Sequence, residues 1–455
     1  MTARILASIA SGSWQEELAG QIRDVLRRKP RTIVVLDDDP TGTQTMHEVP
    51  VITDFDQAVI DAEMQQSPLF YILTNSRSLQ ADEANTLAQT LGERIRLAAD
   101  KQGKEVLVIS RGDSTLRGHY PGEVDALAAG LGISDARQVL IPAFFEGGRY
   151  TFEDIHYVRE GEQFIPAAET PFAQDNTFGY ESSDLGEWIR EKRNRSVSPE
   201  EIHPISLDEL RREGGFVFSR AHYLISNATG YRDLQAMALA CLQEDEPLVY
   251  RTAASFVNAI SGTKPRPLLK AEELQTGETT YGGLVVVGSY VPKSTRQLQY
   301  VQEQSEAHFM EVPVARIQAG DFDEAAITAL AGEATEKIKS GINVVLYTSR
   351  AVATGTTKAE SLALVNRVSE VVQSIVRQIG VRPRFLLAKG GITSSDIATK
   401  ALGVKRARVL GQIAKGIPVW RLGPETRFPD MPYIIFPGNV GDDQTLHAVI
   451  NSLSP

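Results

Sequence analysis

The sequence predicts an α/β protein made of two Rossmann-like domains whose mostly parallel sheets face a shared cleft. Three observations carry this prediction. Short runs of branched apolar residues recur, and each leads into a polar loop and then an amphipathic stretch. The pattern stops between Ser261 and Gly283, where Gly, Pro, Lys, Glu and Thr dominate without apolar periodicity, and restarts at Leu284. A length of 455 residues also exceeds what one hydrophobic core comfortably organises. The expected divisions are residues 1–260, a linker over 261–283, and residues 284–455.

Composition narrows the function classes. With 42% hydrophobic and 23% charged residues there is apolar material for two cores and no reason to expect disorder. A net charge of −11 argues against non-specific binding to nucleic acid or anionic membrane, but not against a small anion in a locally basic cleft. Cys241 is the only cysteine, so an intrachain disulfide and a cysteine-rich metal site are excluded, and its apolar helical neighbourhood reads as core packing. The stretch from Ile5 to Ala10 is too short for a signal peptide, and no apolar run reaches membrane-helix length. A cytoplasmic protein is expected.

Along the first half, Trp14 to Arg28 has helical spacing and stops before Pro30. Ile33-Val34-Val35-Leu36 reads as a strand buried on both faces, and it delivers Asp37, Asp38 and Asp39 into the turn Pro40-Thr41-Gly42. Adjacent carboxylates repel unless a cation, donors or a shared proton offset them, so this strand end is a candidate site. Val49–Thr53 and Leu69–Leu73 are further strands, the latter ending near Arg77, and a helix follows over 81–100. Glu105–Ile109 leads into Ser110-Arg111-Gly112-Asp113-Ser114-Thr115-Leu116-Arg117-Gly118. Guanidinium groups match carboxylate or phosphate in a bidentate fork, so this loop implies an anionic substrate. The alternative is that the arginines neutralise the first loop's acids, and both can hold together. Ile141 opens another strand that breaks at Gly147-Gly148-Arg149, and residues 151–194 lack periodicity, as in a lid or an oligomer contact. His156 reads as structural, since no two histidines have metal-ligand spacing. Strands at Phe216–Phe218 and Tyr223–Ile225 precede a helix over 232–243.

In the second half, Leu284–Val287 runs into Gly288-Ser289, and Asn343–Tyr347 runs into Thr348-Ser349-Arg350. A long helix is expected over 358–379. Arg384–Ala388 reaches Lys389-Gly390-Gly391-Ile392-Thr393, where Thr393 and Asp396 approximate a capping box, and Tyr433–Phe436 reaches Pro437-Gly438-Asn439. Glycine turns where strands meet helices suit phosphate, and this domain has three. Neither a complete P-loop nor a dinucleotide fingerprint is present. Asp37-x-Asp39-x-Thr41 resembles the nucleophile loop of haloacid-dehalogenase-type phosphatases, an alternative that would use Asp37 and Asp39 and leave the Arg111 loop without work.

Taken together, these stretches resemble the four-carbon acid sugar kinase family. Its Asp-Asp-x-Thr-Gly motif matches Asp38 to Gly42, and its second motif matches Asp113 to Gly118. Its nucleotide signatures match Gly288-Ser289, Gly390 to Thr393, and Pro437 to Asn439. The resemblance implies ATP-dependent phosphorylation of the terminal hydroxyl of D-threonate, D-erythronate or 3-oxo-tetronate, with Mg²⁺ on the phosphates and no metal ligands assigned. It implies Asp38 or Asp39 as the base. Thr41, Gly42, Arg77, Arg111, Asp113, Ser114 and Arg117 would bind the sugar acid, the arginines clamping its carboxylate. Ser289, Gly390, Gly391, Ile392, Thr393, Gly438 and Asn439 would bind ATP. A non-catalytic sensor of the same ligands is the remaining alternative. No nucleic-acid or membrane partner is expected, and a homo-oligomer is left open.

Overall fold

The computed structural model describes residues 1–275, 280–350 and 358–454, with side chains described from residue 363 onward in the last segment. The chain divides into two compact units, Met1–Arg266 and Pro267–Pro455.

The first unit contains β1 (Arg31–Asp37), β2 (Val49–Ile52), β3 (Leu69–Leu73), β4 (Glu105–Arg111), β5 (Arg137–Ile141), β6 (Arg149–Phe152), β7 (Ile155–Glu160), β8 (Gln163–Pro166), β9 (Ile202–Ile205), β10 (Tyr223–Ser226) and β11 (Leu248–Thr252). Eight of them form a parallel arrangement in the order β2-β3-β1-β4-β11-β5-β10-β9. Strands buried on both faces need apolar residues at successive positions, and Ile33 to Leu36 and Leu69 to Leu73 supply them. Val34, Leu36, Phe70, Ile72 and Val108 pack with Ala88, Leu91 and Ile95 of the helix Ala81–Gln102. The chain moves from β1 outward to β2, returns to β3, and then crosses to β4 on the other side of β1. The switch point therefore lies between β1 and β4. Register levels the strand ends there, because Asp37 pairs with both Leu73 and Arg111, and Thr252 pairs with Arg111.

Several local expectations change. The strand expected to open at Ile141 ends there, because the apolar run begins at Val139 and Pro142 removes a donor. The aperiodic stretch after Gly148 begins with a three-stranded antiparallel sheet, β6-β7-β8, whose short strands are too brief to show a period. Phe216–Phe218 is coil. It follows Gly214 and Gly215 at φ 87° and 80°, and Val217 is 89% exposed. The unanticipated β9 carries Pro204, which a sheet tolerates at its edge.

The second unit contains β12 (Leu284–Val287), β13 (His308–Val312), β14 (Val344–Thr348), β15 (Leu386–Lys389), β16 (Arg406–Ala414), β17 (Ile417–Leu422) and β18 (Pro432–Phe436), in the order β13-β14-β12-β15-β18-β17-β16. The first five are parallel, and the unanticipated hairpin β16–β17 completes the sheet antiparallel. Val285, Val287, Leu387 and Ile434 pack with Leu298 and Val301 of the helix Pro292–Gln304 and with Leu446 and Ile450 of the helix Thr445–Leu453. Here the switch point lies between β12 and β15. Val287 pairs with Lys389, and Lys389 with Phe436, so the three glycine turns leave the sheet at one level. The expected long helix spans Lys358–Gln378. The capping box at Thr393 is not formed. The helix starts at Gly391 with Gly390 as its cap at φ 119°, a backbone conformation that glycine supplies at little cost and that lets the chain turn directly out of β15.

Candidate active site

In the first unit, Asp39 caps the short turn Pro40–Thr43, its Oδ1 accepting the Thr41 N–H at 2.8 Å. Arg77, on the turn after β3, reaches Asp39 Oδ2 at 2.7 Å, Asp113 Oδ1 at 3.2 Å and Asp38 Oδ1 at 3.4 Å. Arg111 donates to Asp37 Oδ1 at 3.1 Å and lies 3.6 Å from Asp38 Oδ1. Arg117 Nε donates to Asp113 Oδ2 at 2.8 Å, and its Nη1 lies 3.7 Å from Asp175 Oδ2. Sequence neighbours and distant residues thus form one network of alternating charge.

The network has an enclosed part and an accessible part. Asp37, Asp38 and Arg111 are 1%, 2% and 4% exposed, and neither Asp38 oxygen accepts a hydrogen bond from the described residues. Burial pushes the Asp37 carboxyl up to about 7 despite Arg111. The Asp37 carboxylate fills the space beside Gly42, where a Cβ would stand 2.1 Å from either oxygen. The Asp37 nucleophile required by the phosphatase alternative is therefore shut away. Asp39 keeps a partly exposed side chain at 17%, as do Arg77, Asp113 and Arg117. Burial raises the Asp39 carboxyl, but Arg77 and the Thr41 hydrogen bonds outweigh it and hold it below the usual range. The same opposition, with Arg117 and Arg77 prevailing, holds Asp113 well below it.

Supporting residues come from parts of the sequence that carry no local signal. Ser76 donates to Glu123 Oε1 at 2.5 Å, and Arg251 lies 3.6 Å from Glu123 Oε2. Arg251 also donates to Ser110 Oγ at 3.2 Å and to the Arg117 carbonyl at 3.3 Å, bracing the loop between them. His156 is buried and held down to about 4 by burial, so it is neutral. Its Nε2 donates to the Ser114 carbonyl at 2.8 Å and its Nδ1 accepts from Thr151 Oγ1 at 3.0 Å. It acts as a structural tie, holding the Ser114 backbone to β6.

In the second unit a cavity of about 380 Å³ opens at the switch point, lined by Gly288, Ser289, Gly390, Gly391, Ile392 and Thr393 and walled by Val368 and Val372. Tyr290 and Ile392 stand at its lip, 55% and 52% exposed. The third glycine turn adjoins this cradle through hydroxyls, since the buried Ser294 Oγ lies 3.0 Å from Ser289 Oγ and 3.1 Å from the Gly438 carbonyl, to which it can donate. Asn439 lies farther out, its carbonyl 3.4 Å from Lys293 Nζ. Lys389, which no sequence argument singled out, is fully buried at the end of β15. Its Nζ donates to the Pro437 carbonyl at 3.2 Å and lies 3.9 Å from the centre of the Phe436 ring. Burial, with Lys293 nearby, lowers its ammonium to about 7. An apolar cavity beside backbone turns, hydroxyls and a buried cation suits a ligand with a flat apolar part and an anionic tail.

Among the described residues, no group of three His, Cys, Asp or Glu side chains that could hold a metal ion occurs. The cradle's one acidic lining residue, Asp396, is engaged by Lys400 at 2.8 Å and Ser369 at 2.5 Å. A divalent ion at this cradle would therefore have to be held chiefly by oxygens of a bound ligand and by water, with hydroxyls such as that of Ser289 as the chain's contribution. No helix among the described residues is long and apolar enough to cross a membrane.

Two family models match the chain. One, described as a sugar-binding N-terminal domain, covers residues 33–260, and the other, a nucleotide-binding C-terminal domain, covers residues 284–446. A D-threonate kinase from Bordetella bronchiseptica is 33% identical over 120 residues, 26% of this chain and 27% of that protein, so the alignment spans about a quarter of the relative's length. Two solved structures share the fold at 17% identity. A Salmonella typhimurium LT2 protein, provisionally described as a tRNA synthase, has a TM-score of 0.65 over 91% of this chain and 98% of its own. A Haemophilus influenzae protein of a domain family without assigned function has a TM-score of 0.60 over 92% and 100%.

Proposed function

The chain belongs to the four-carbon acid sugar kinase family, and from that premise we propose that it transfers the terminal phosphoryl group of ATP to the terminal hydroxyl of a four-carbon sugar acid. D-threonate, D-erythronate and 3-oxo-tetronate are the candidate substrates. The observation that carries this reading is the switch point of the first unit. There Asp39 stays partly exposed and hydrogen-bonded, beside guanidinium groups aligned by Asp113. Phosphoryl transfer asks a protein chiefly for positioning and charge neutralisation, and both are built into this arrangement.

Asp39 is the group we assign to accept the proton of the attacking hydroxyl, a role that requires hydrogen-bond reach to that oxygen. Asp38 is enclosed between Arg77 and Arg111 and supports Asp39 by holding those arginines. Arg111, expected to clamp the substrate, spends its buried guanidinium on Asp37 and Asp38, and Arg77 is held by Asp38, Asp39 and Asp113, so of the three expected arginines the clamp falls to Arg117. Thr41, Gly42 and Ser114 shape the loops against which the sugar acid would lie. In the second unit, Ser289, Gly390, Gly391 and Thr393 would receive the phosphates, Ile392 would cover the base, and Gly438 and Asn439 would close the phosphate side. Mg²⁺ bound with ATP would neutralise phosphate charge. In the reacting complex the hydroxyl and the phosphoryl group must come within bonding distance, with water excluded to limit ATP hydrolysis.

Incubation with ATP, Mg²⁺ and a panel of tetronates, followed by ADP detection, tests this reading. Tetronate-dependent ADP formation is expected. Binding of both ligands without turnover would make the chain a sensor, and phosphate release from phosphoesters without ATP would make it a phosphatase.

A further inference from the structure

Five arginines belong to the first unit's site region, and four are matched to carboxylates. Arg77 holds Asp38, Asp39 and Asp113, Arg111 holds Asp37 and Asp38, Arg117 holds Asp113, and Arg251 faces Glu123. Arg149 is the exception. Among the described residues it has no ion pair within 4 Å, its Nη1 donates only to the Gly147 carbonyl, and its Nε is buried without a partner. It is nevertheless fixed in place. As the first residue of β6 it follows the Gly147-Gly148 turn, and its guanidinium lies 5.6 Å from the centre of the Phe172 ring. Arg117 lies 5.1 Å from the same ring. Both guanidinium groups are electrostatically linked to Asp113.

We propose that Arg149 is the anchor for the carboxylate of the sugar acid, receiving it together with Arg117 beside the Phe172 ring. The inference rests on the sugar-acid reading above and assigns the polarity of the substrate within that site. The ion-pair sequence Asp39, Arg77, Asp113, Arg117 runs from the acid assigned as base toward Phe172 and Arg149. A substrate with a hydroxyl at one end and a carboxylate at the other matches that order. A half-buried guanidinium with its Nε enclosed and unpartnered, and no carboxylate within ion-pair distance, is costly, and a bound carboxylate supplies both the close charge and the second hydrogen-bond acceptor that a fork requires. Arg117 alone is a weaker anchor, because Asp113 already occupies its Nε.

Calorimetric titration of the intact chain, without nucleotide, with a tetronate and with the corresponding tetronamide tests the proposal. The wild-type chain is expected to prefer the acid. Arg149→Met, which keeps the stem and removes the charge, should weaken acid binding by about 10- to 150-fold, the range of one charge-assisted hydrogen bond. It should leave amide binding within about threefold and so erase the preference. A merely structural role for Arg149 would weaken both ligands alike. Should Arg149→Met not fold, Arg149→Gln serves the same comparison. On the unaltered chain, tetronate should protect the Arg149 peptide from phenylglyoxal. A folded variant that keeps the wild-type preference for the acid, or protection confined to other arginines, would overturn the proposal. Failure of the wild-type chain to bind any tetronate would instead remove the sugar-acid reading beneath it.

Discussion

The carboxylate of Asp37 occupies the space that a side chain on residue 42 would need, with both oxygens 2.1 Å from the Cβ position of Gly42. The glycine of the Asp-Asp-x-Thr-Gly motif is therefore a packing requirement imposed by the acid five residues earlier. Gly42→Ala should displace Asp37 from Arg111 and lower stability by about 1–3 kcal/mol, as overpacking does. Denaturant midpoints measure this. An alanine variant as stable as the wild-type chain would mean that the acid moves freely.

Asp37 also has a pH signature. Its folded pKa of about 7 lies above the unfolded value near 3.8. The native state therefore holds a proton that the unfolded state has lost between those values. The contribution of Asp37 to stability is fully present below about pH 4 and is lost as pH rises toward 7. Asp37→Asn should remove this slope, so the stability difference between wild-type and variant chains should change over pH 4–7 and level off above it. Parallel curves would contradict the assignment.

Arg77 is the side chain on which three carboxylates converge. Arg77→Ala leaves them facing one another and should cost about 3–5 kcal/mol, the range for breaking a buried pair. A loss within about 0.5 kcal/mol in chemical unfolding would show that Arg111 and solvent replace it.

Much of this site was legible in the sequence because strand ends are. Four branched apolar residues followed by three acids identify β1 and its loop, and the Arg111 loop and the glycine turns announce themselves in the same way. The direction of side chains across the sheet was not legible. Arg251 stands in an ordinary apolar strand, yet its guanidinium fills the space beside Gly112, 2.1 Å from that residue's Cβ position. Arg111 and Arg117 look equivalent in the sequence, but register pairs Arg111 with Asp37 and encloses it, while Arg117 sits beyond the strand end on the loop. Lys389 was silent because burial of a lysine depends on helices packed from distant sequence. The hairpin β16–β17 and the edge strand β9 lacked the continuous apolar runs that marked the central strands.

Lys389→Met should raise the Michaelis constant for ATP several-fold, by freeing the Pro437-Gly438 turn that the buried ammonium ties, while leaving tetronate binding unchanged. The buried ammonium, lowered to about 7, penalises the native state most at and below pH 7, and the penalty fades as pH rises toward the unfolded value. The stability advantage of the methionine variant should therefore be largest near pH 7 and shrink toward pH 10. A pH-independent difference would remove the charge from the explanation.

Asp39→Asn should fold with a thermal midpoint near the wild-type value and lose about 10²- to 10⁴-fold in kcat, the usual contribution of a positioned base. Wild-type turnover in this variant would pass the role to another group.

The central claim concerns which atom receives the phosphoryl group, and phosphorus NMR of the reaction with ATP, Mg²⁺ and D-threonate or D-erythronate reads that atom directly. A phosphomonoester resonance split by the two protons of a terminal CH₂ group is the predicted result. ADP accompanied only by inorganic phosphate, or a phosphorus coupled to a single CH proton, would contradict it.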